Sequence, residues 1–355
     1  MVRIVVAGCS YGGLRCLLNL RKLFPEAELV GIDPSPYHVN ITGFPKYFAG
    51  EVHHMELLLP LQEFLAKHHI EYLQEEVTGL SPQSKHIYTS KRRMDYDYLV
   101  LAFGASHKQI PTATTGLFSP YTLQEVKELR SYLEKHIYQG KPIQAVVVGA
   151  GLAGIEWSCA LAAYLKDKGT VTILERSTQI LTGYSDKIRA YVRKILAEKK
   201  IQVKLGVNVQ KIQHPSITLD KGKIPFTTVL LFAGVQNHPL VDKLNLEHNE
   251  KGILVKNTLQ TPTYSNVFCV GDVVSLANNL TQPIKRATSA LIQGKIAAEN
   301  IAHHYARENL QNYEVHEMPL GIYLGTHEGL VHYKGLQYTG WLAWWSKKWR
   351  EMHYL

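Results

Sequence analysis

Apolar residues in this chain come in short runs that end on glycine and lead into amphipathic stretches. RIVVAG, starting at Arg3, is a β-branched apolar run and predicts a buried strand. GCSYGGLRCLLNLRKL follows, and Leu14, Leu17, Leu18 and Leu20 give it the buried face of a helix. AELVGIDP predicts a second strand ending at Asp33. The unit then recurs. QAVVVGAGLAGIEWSCALAAYL reads as strand, turn and helix, and TVTILERS as the next strand, ending at Glu175. Three more runs, YDYLVLAFGAS, TVLLFAGV and YSNVFCVGDVV, read as buried strands. The pattern predicts an α/β chain of two interleaved Rossmann-like, doubly wound dinucleotide-binding domains. A short C-terminal α/β piece ending in an amphipathic helix completes it.

Each unit carries a glycine turn between its first strand and its helix. Glycine lets such a turn bend tightly and lets a pyrophosphate approach the helix N-terminus. The first turn supplies Gly8, Gly12 and Gly13, with Ser10 in the place of the usual middle glycine and Tyr11 beside it. The second is an unbroken G-x-G-x-x-G of Gly149, Gly151 and Gly154. Asp33 and Glu175 stand at matching distances after their turns, each placed to accept hydrogen bonds from a ribose. A carboxylate there repels a 2′-phosphate, so Glu175 favours NADH over NADPH. The repeated unit predicts two bound dinucleotides.

Composition narrows the picture. The 355 residues are 45% hydrophobic and 19% charged, enough for two packed domains. The net charge of +9 suits an anionic membrane or anionic small molecules. Without a basic helix or zinc spacing, nucleic acid is excluded as a partner. The longest apolar runs contain glycine turns and are not spanning helices. A strand begins at Arg3 with no signal peptide before it, which places the expected protein in the cytoplasm. Cys9, Cys16, Cys159 and Cys269 form no C-x-x-C or C-x₄-C pair and are expected as reduced, buried thiols. His38, His53, His54, His68 and His69 lack cysteine or carboxylate companions, so no metal is expected.

The order of motifs is first glycine turn, A-F-G with Ala102 and Gly104, second glycine turn, A-G with Gly234, then V-G-D with Gly271 and Asp272. This order resembles the two-dinucleotide-binding flavoproteins of the glutathione-reductase type. Within them the chain most resembles the type II NADH:quinone dehydrogenase group and its apoptosis-inducing-factor-like relatives. KYFAGEVHHMELLLPLQEFLAKHHIEYLQEEVTGLSP is similar to that group's segment between the first flavin strands. ALIQGKIAAENI, with Gln293, Gly294 and Asn300, is similar to its helix beside the flavin. The resemblance implies FAD on the first turn, NADH on the second, and Asp272 on the ribityl hydroxyls. It also implies a helix from about Thr288 with its N-terminus toward the flavin ring. The domains implied are FAD-binding at 1–108 and 238–310, NADH-binding at 109–237, and a cap with a membrane-interface tail at 311–355.

Two departures matter. Where disulfide reductases of this type carry C-x₄-C, this chain has NITGFPK. Electrons therefore leave for a diffusible acceptor, quinone or oxygen, or for a protein partner. The group's paired glutamines are replaced by Thr288 and Ile292. Other residues stay open. Glu156 lies either near the nicotinamide or on the backbone of a neighbouring domain. Lys46 lies either near the flavin N5 or at the surface. Tyr323 and Tyr333 either line a quinone slot or pack in a core.

Four tryptophans crowd the tail, GWLAWWSKKWREMHYL. A helical wheel puts Tyr338, Trp341, Leu342, Trp344, Trp345, Trp349 and Met352 on one face, with Lys347 and Arg350 away from it and Lys348 able to snorkel. Such a face suits a membrane headgroup layer, or a groove on the protein or on a homodimer partner. The expected function is hydride transfer from NADH to FAD and then to a quinone, by a peripheral enzyme on the inner membrane face. Alternatives are a reductase of a small iron–sulfur or rubredoxin-type protein, a sulfide:quinone oxidoreductase-like enzyme, and a non-enzymatic nucleotide sensor.

Overall fold

Two five-stranded parallel sheets organise the chain, and four strands of each follow the same order, while the edge strand comes last in the chain in the first sheet and first in the second. In the first, Val267–Cys269, Tyr98–Leu101, Arg3–Ala7, Glu28–Ile32 and Glu71–Leu73 lie side by side. In the second the sequence is Leu117–Phe118, Thr228–Leu231, Ile143–Val148, Gly169–Glu175 and Gln202–Leu205. The strand before each glycine turn is the middle one of its sheet. Each sheet is followed in the chain by a small antiparallel ladder, Val77–Asp95 and Val209–Pro225, before the chain returns to the sheet. The computed structural model describes residues 1–107, 114–232, 234–277, 282–315 and 318–352, without the Met352 side chain. The expected boundary at 108/109, and the expected place of Met352 on the apolar face, lie outside the described residues.

The chain crosses from one sheet to the other and back through two neighbouring segments. Ala105–His107 and Val235–Asn237 pair antiparallel at this crossing. Their strands, Tyr98–Leu101 and Thr228–Leu231, are wholly buried, as strands covered on both faces must be. The long helix Ala287–Ala306 packs on Tyr11–Leu23 so closely that a Cβ on Gly294 would lie 2.3 Å from the Gly12 carbonyl oxygen. Gly294 is thus required by the contact between the two helices.

Residues 44–57 depart from a simple division at 108. Phe44, Phe48 and Leu57 pack into the core of the second sheet, with Trp157, Leu161 and Val126. That core also takes in Leu320, Ile322, Tyr323 and Leu330 from the C-terminal piece. The piece is a three-stranded antiparallel sheet, Leu320–Tyr323, Gly329–Tyr333 and Leu336–Thr339, with the helix Trp341–Met352 against it. Tyr338 therefore sits on a strand and not on the helix expected for it. Tyr323 is fully buried, whereas Tyr333 is partly exposed.

Candidate active site

The two glycine turns are built alike. Gly8 has φ +107° and Gly149 φ +106°, the left-handed region that only glycine adopts freely. A Cβ on Gly13 would lie 1.8 Å from the Gly8 carbonyl oxygen, and one on Gly154 1.9 Å from that of Gly149. These four glycines close the turns. The middle position differs. Gly151 has φ −73° and open space around a Cβ, and Ser10 at the same helix N-cap has φ −96°. An L-residue fits there without strain, so the serine in the first turn costs the fold nothing. Its side chain makes no capping hydrogen bond with its own helix, and it lines a cavity.

Both acidic residues brace their turns. Asp33 accepts the Cys9 N–H at 2.8 Å and the Ser35 N–H at 2.9 Å. Glu175 accepts the Ala150 N–H at 2.7 Å and the Ser177 N–H at 2.7 Å. Burial raises the Asp33 carboxyl above its ordinary range, and the two N–H donors work against that rise. The carboxylates are thus oriented by the backbone, each keeping lone pairs for a ligand.

A cavity of about 480 Å³ opens between the sheets and the C-terminal piece. Ser10, Tyr11 and Gly12 of the first turn, Ala102 and Gly104, and Gly271 and Asp272 all line it. Glu156 lines it from the second unit, and Lys285, Arg286 and Thr288 from the start of the long helix. The geometry explains the last group. The Gly271 N–H donates to Gln293 Oε1 at 2.6 Å, which ties the Gly-Asp turn to that helix. Asp272 is not the helix cap, since Arg286 occupies the N-cap. Burial raises the Asp272 carboxyl, and nearby Lys285 opposes this. Asn300, by contrast, binds the backbone of Thr258 and Gln311 away from the cavity. Tyr11 donates its hydroxyl to Asn40 Oδ1 at 3.0 Å. Gly234 is exposed beside the crossing pair.

The residues fit a flavin nucleotide on two observations. The turn leaves no Cβ at Gly8, Gly12 or Gly13. Two residues that line the cavity, Thr288 and His107, each carry a buried polar atom, Oγ1 and Nδ1, with no hydrogen-bond partner in the protein. The helix N-terminus and the Lys285 and Arg286 side chains add positive potential at the same wall.

Lys46 does not line the cavity, although Phe44 and Pro45 next to it do, and it is not at the surface. It is 1% exposed and paired with Glu351 at 2.5 Å. Glu156 makes the backbone bond that was one of its two expectations. It lines the cavity, and its Oε1 accepts the Tyr323 N–H at 2.8 Å from the C-terminal sheet. The same oxygen lies 3.0 Å from Lys347 Nζ. Lys347 and Arg350 were expected on the side of the tail helix away from its apolar face. They are on that side, but it is turned into the protein and lines the cavity. The pattern of the helix said nothing about which face docks, and so the sequence missed both as cavity residues. All four cysteines are buried and free, and none lines the cavity.

Residues 2–294 match the pyridine nucleotide-disulphide oxidoreductase family. The chain is similar to the type II NADH:quinone oxidoreductase of Staphylococcus aureus, 23% identical over 98% of this chain and 93% of that one. Its fold is similar to that of the sulfide:quinone oxidoreductase from Aquifex aeolicus, with a TM-score of 0.87, 19% identity and coverage of 100% and 92%. It is also similar to NDH2 from Plasmodium falciparum, solved in complex with NADH, with a TM-score of 0.86, 15% identity and coverage of 99% and 96%. With four-fifths of its length inside the match and the two turns built alike, the chain belongs to the pyridine nucleotide-disulphide oxidoreductase family.

Proposed function

We propose that this flavoenzyme oxidises NADH and reduces a quinone at a membrane surface. FAD supplies the chemistry when bound, accepting hydride and releasing electrons. The protein's part is alignment and electrostatics. The first turn and Asp33 would hold the adenosine end of FAD, and Asp272 would accept from its ribityl hydroxyls. The second turn and Glu175 would hold NADH, bringing its nicotinamide toward the cavity wall at Glu156. The four buried cysteines offer no dithiol relay, so electrons leave directly from the cavity.

One observation carries the choice of acceptor. The Trp341–Met352 helix is amphipathic the wrong way round for water. Trp341, Leu342, Trp345 and Trp349 are 67%, 47%, 51% and 51% exposed, while Lys347 and Glu351 are buried. The helix does dock on the protein, but through Lys347 and Glu351 together with Ala343 and Trp344, leaving an indole stripe of Trp341, Trp345 and Trp349 outside. Indole rings favour the headgroup layer, and Lys348 and the net positive charge suit anionic lipid. Arg350 and Lys347 of the same helix line the cavity, so a water-insoluble acceptor arriving from the bilayer meets the site at once. Among the described residues no helix is long and apolar enough to cross a membrane.

The test is flotation with vesicles containing phosphatidylglycerol, using the wild type and the triple variant Trp341→Ser, Trp345→Ser, Trp349→Ser. Wild type should float and reduce a long-chain quinone embedded in the vesicles. The variant should stay at the bottom while still oxidising NADH with a water-soluble quinone. A wild type that neither floats nor uses the embedded quinone would reject the proposal. A concentration-dependent dimer lost in the variant would assign the stripe to a second copy instead.

A further inference from the structure

Four charged side chains from three separate parts of the chain form one buried row beside the cavity. Lys46 Nζ lies 2.5 Å from Glu351 Oε2, Glu351 Oε1 2.7 Å from Lys347 Nζ, and Lys347 Nζ 3.0 Å from Glu156 Oε1. Lys46, Glu351 and Lys347 are 1%, 7% and 5% exposed. The signs alternate and sum to zero. Only the far end, Lys347 and Glu156, touches the cavity. Lys46 belongs to the short helix Phe44–Phe48, which is packed into the second core and therefore fixed.

Stability does not explain the row. A buried ion pair gains little over well-packed apolar residues of the same volume, because desolvating the charges costs several kcal/mol per ion. Burial lowers the Lys46 ammonium from its ordinary range, against the pull of Glu351. Burial would raise Glu351, yet Lys347 and Lys46 together hold it low. Glu351 thus keeps its charge through its two lysine neighbours. Both Glu351 oxygens are engaged, one by each lysine, so the orientation of the carboxylate is set from the Lys46 side. That orientation decides where the Lys347 ammonium stands along the cavity wall.

We infer that Lys46 is a positioning residue for the acceptor half of the reaction, acting through Glu351 to hold Lys347 and Glu156 in register at the cavity wall. The inference rests on the proposed reduction of a quinone in this cavity. Without the Lys46 charge the row carries a net negative charge. Glu351 and Glu156 then compete for one ammonium, and the wall is no longer held in one arrangement. The two glycine turns are braced by Asp33 and Glu175 rather than by the row. Glu156, the member of the row on the second unit's helix, keeps its bond from the Tyr323 N–H without Lys46, so the donor half should change less than the acceptor half.

The test uses holoenzyme and a water-soluble short-chain benzoquinone. Stopped-flow measurement separates bleaching of the flavin by NADH from its recovery with the quinone. Lys46→Met should slow recovery about tenfold, the effect of a charge left without its buried partner, with bleaching within about twofold of wild type. Equilibrium binding of the quinone without NADH, followed by indole fluorescence, should weaken as well. Lys46→Arg should restore both. Glu351→Gln, which keeps the shape and removes the charge, should show the same split if Lys46→Met fails to fold. Normal recovery in both Lys46→Met and Glu351→Gln would overturn the inference alone. So would a joint fall in bleaching, recovery and flavin content, which marks a merely structural role. Wild-type flavin that NADH bleaches and the quinone does not restore would overturn the functional reading, and this inference with it.

Discussion

Trp344 donates its indole N–H to Glu51 Oε2 at 3.0 Å, while Trp345, the next residue, is half exposed. Glu51 also accepts from the Tyr323 hydroxyl at 2.5 Å and the Thr326 hydroxyl at 2.7 Å. One carboxylate therefore fastens both the sheet and the helix of the C-terminal piece to residues 44–57. Glu51→Ala should destabilise the protein by about 2–4 kcal/mol, because hydrogen bonds to a charged acceptor are lost and a buried hydroxyl is stranded. Trp345→Ala should stay within about 0.5 kcal/mol of wild type, as exposed substitutions do. Denaturant unfolding separates the two. Vesicle binding should rank them in reverse, with Trp345→Ala the weaker binder.

The sequence showed the four tryptophans but not this difference between neighbours. A helical wheel places Trp344 at the rim of the apolar arc, and only the position of Glu51 decides that it turns inward. The two glycine turns were legible because the β-branched runs, the glycines and the acidic residues are all local in the chain. The core partners of Phe44 and Phe48 were not, since nothing near them in sequence says which sheet they cover. Lys46 failed for the same reason. Its partner is Glu351, at the other end of the chain.

The glycine motif is likewise legible as a pattern but silent on which glycine does what. Gly154→Ala would put a methyl group 1.9 Å from the Gly149 carbonyl oxygen, so the turn must open. Its loss of stability should exceed about 3 kcal/mol, as severe backbone overlap does. Gly151→Ala has open space and an ordinary φ, and should leave unfolding unchanged. It should still raise KM for NADH at least several-fold, because the methyl group intrudes where the pyrophosphate approaches. An unchanged KM in Gly151→Ala would remove NADH from the second turn.

Glu175 has two tasks that one substitution separates. Glu175→Gln keeps an amide oxygen for the Ala150 N–H but removes the charge that a 2′-phosphate would meet. The preference for NADH over NADPH, measured as the ratio of kcat/KM values, should narrow about tenfold, with some loss of stability because the amide nitrogen then faces the Ser177 N–H. Glu175→Ala should narrow it too, and should also loosen the turn, raising KM for both nucleotides. Wild-type protein that uses the two nucleotides equally would show that Glu175 only braces the turn.

Asp272 is expected to cost the empty protein stability that the flavin then returns. Burial raises its folded pKa above the ordinary carboxylate value of 3.8, in spite of Lys285. The unfolded chain therefore releases this proton at lower pH than the folded one. Stability falls as pH rises from the unfolded pKa through the folded pKa, and the loss persists at neutral pH. Asp272→Asn removes the titration. Flavin-stripped Asp272→Asn should melt above flavin-stripped wild type at pH 7, and the gap should close below the unfolded pKa, where both side chains are neutral. With saturating FAD the order should reverse. A carboxylate accepting from a ribityl hydroxyl makes a charge-assisted bond of about 1.5–3 kcal/mol, or about one to two decades of affinity. Wild type should therefore bind FAD more tightly by fluorescence titration, with Asp272→Asn intermediate and Asp272→Ala weakest. An identical melting order with and without FAD would show that Asp272 does not face the flavin.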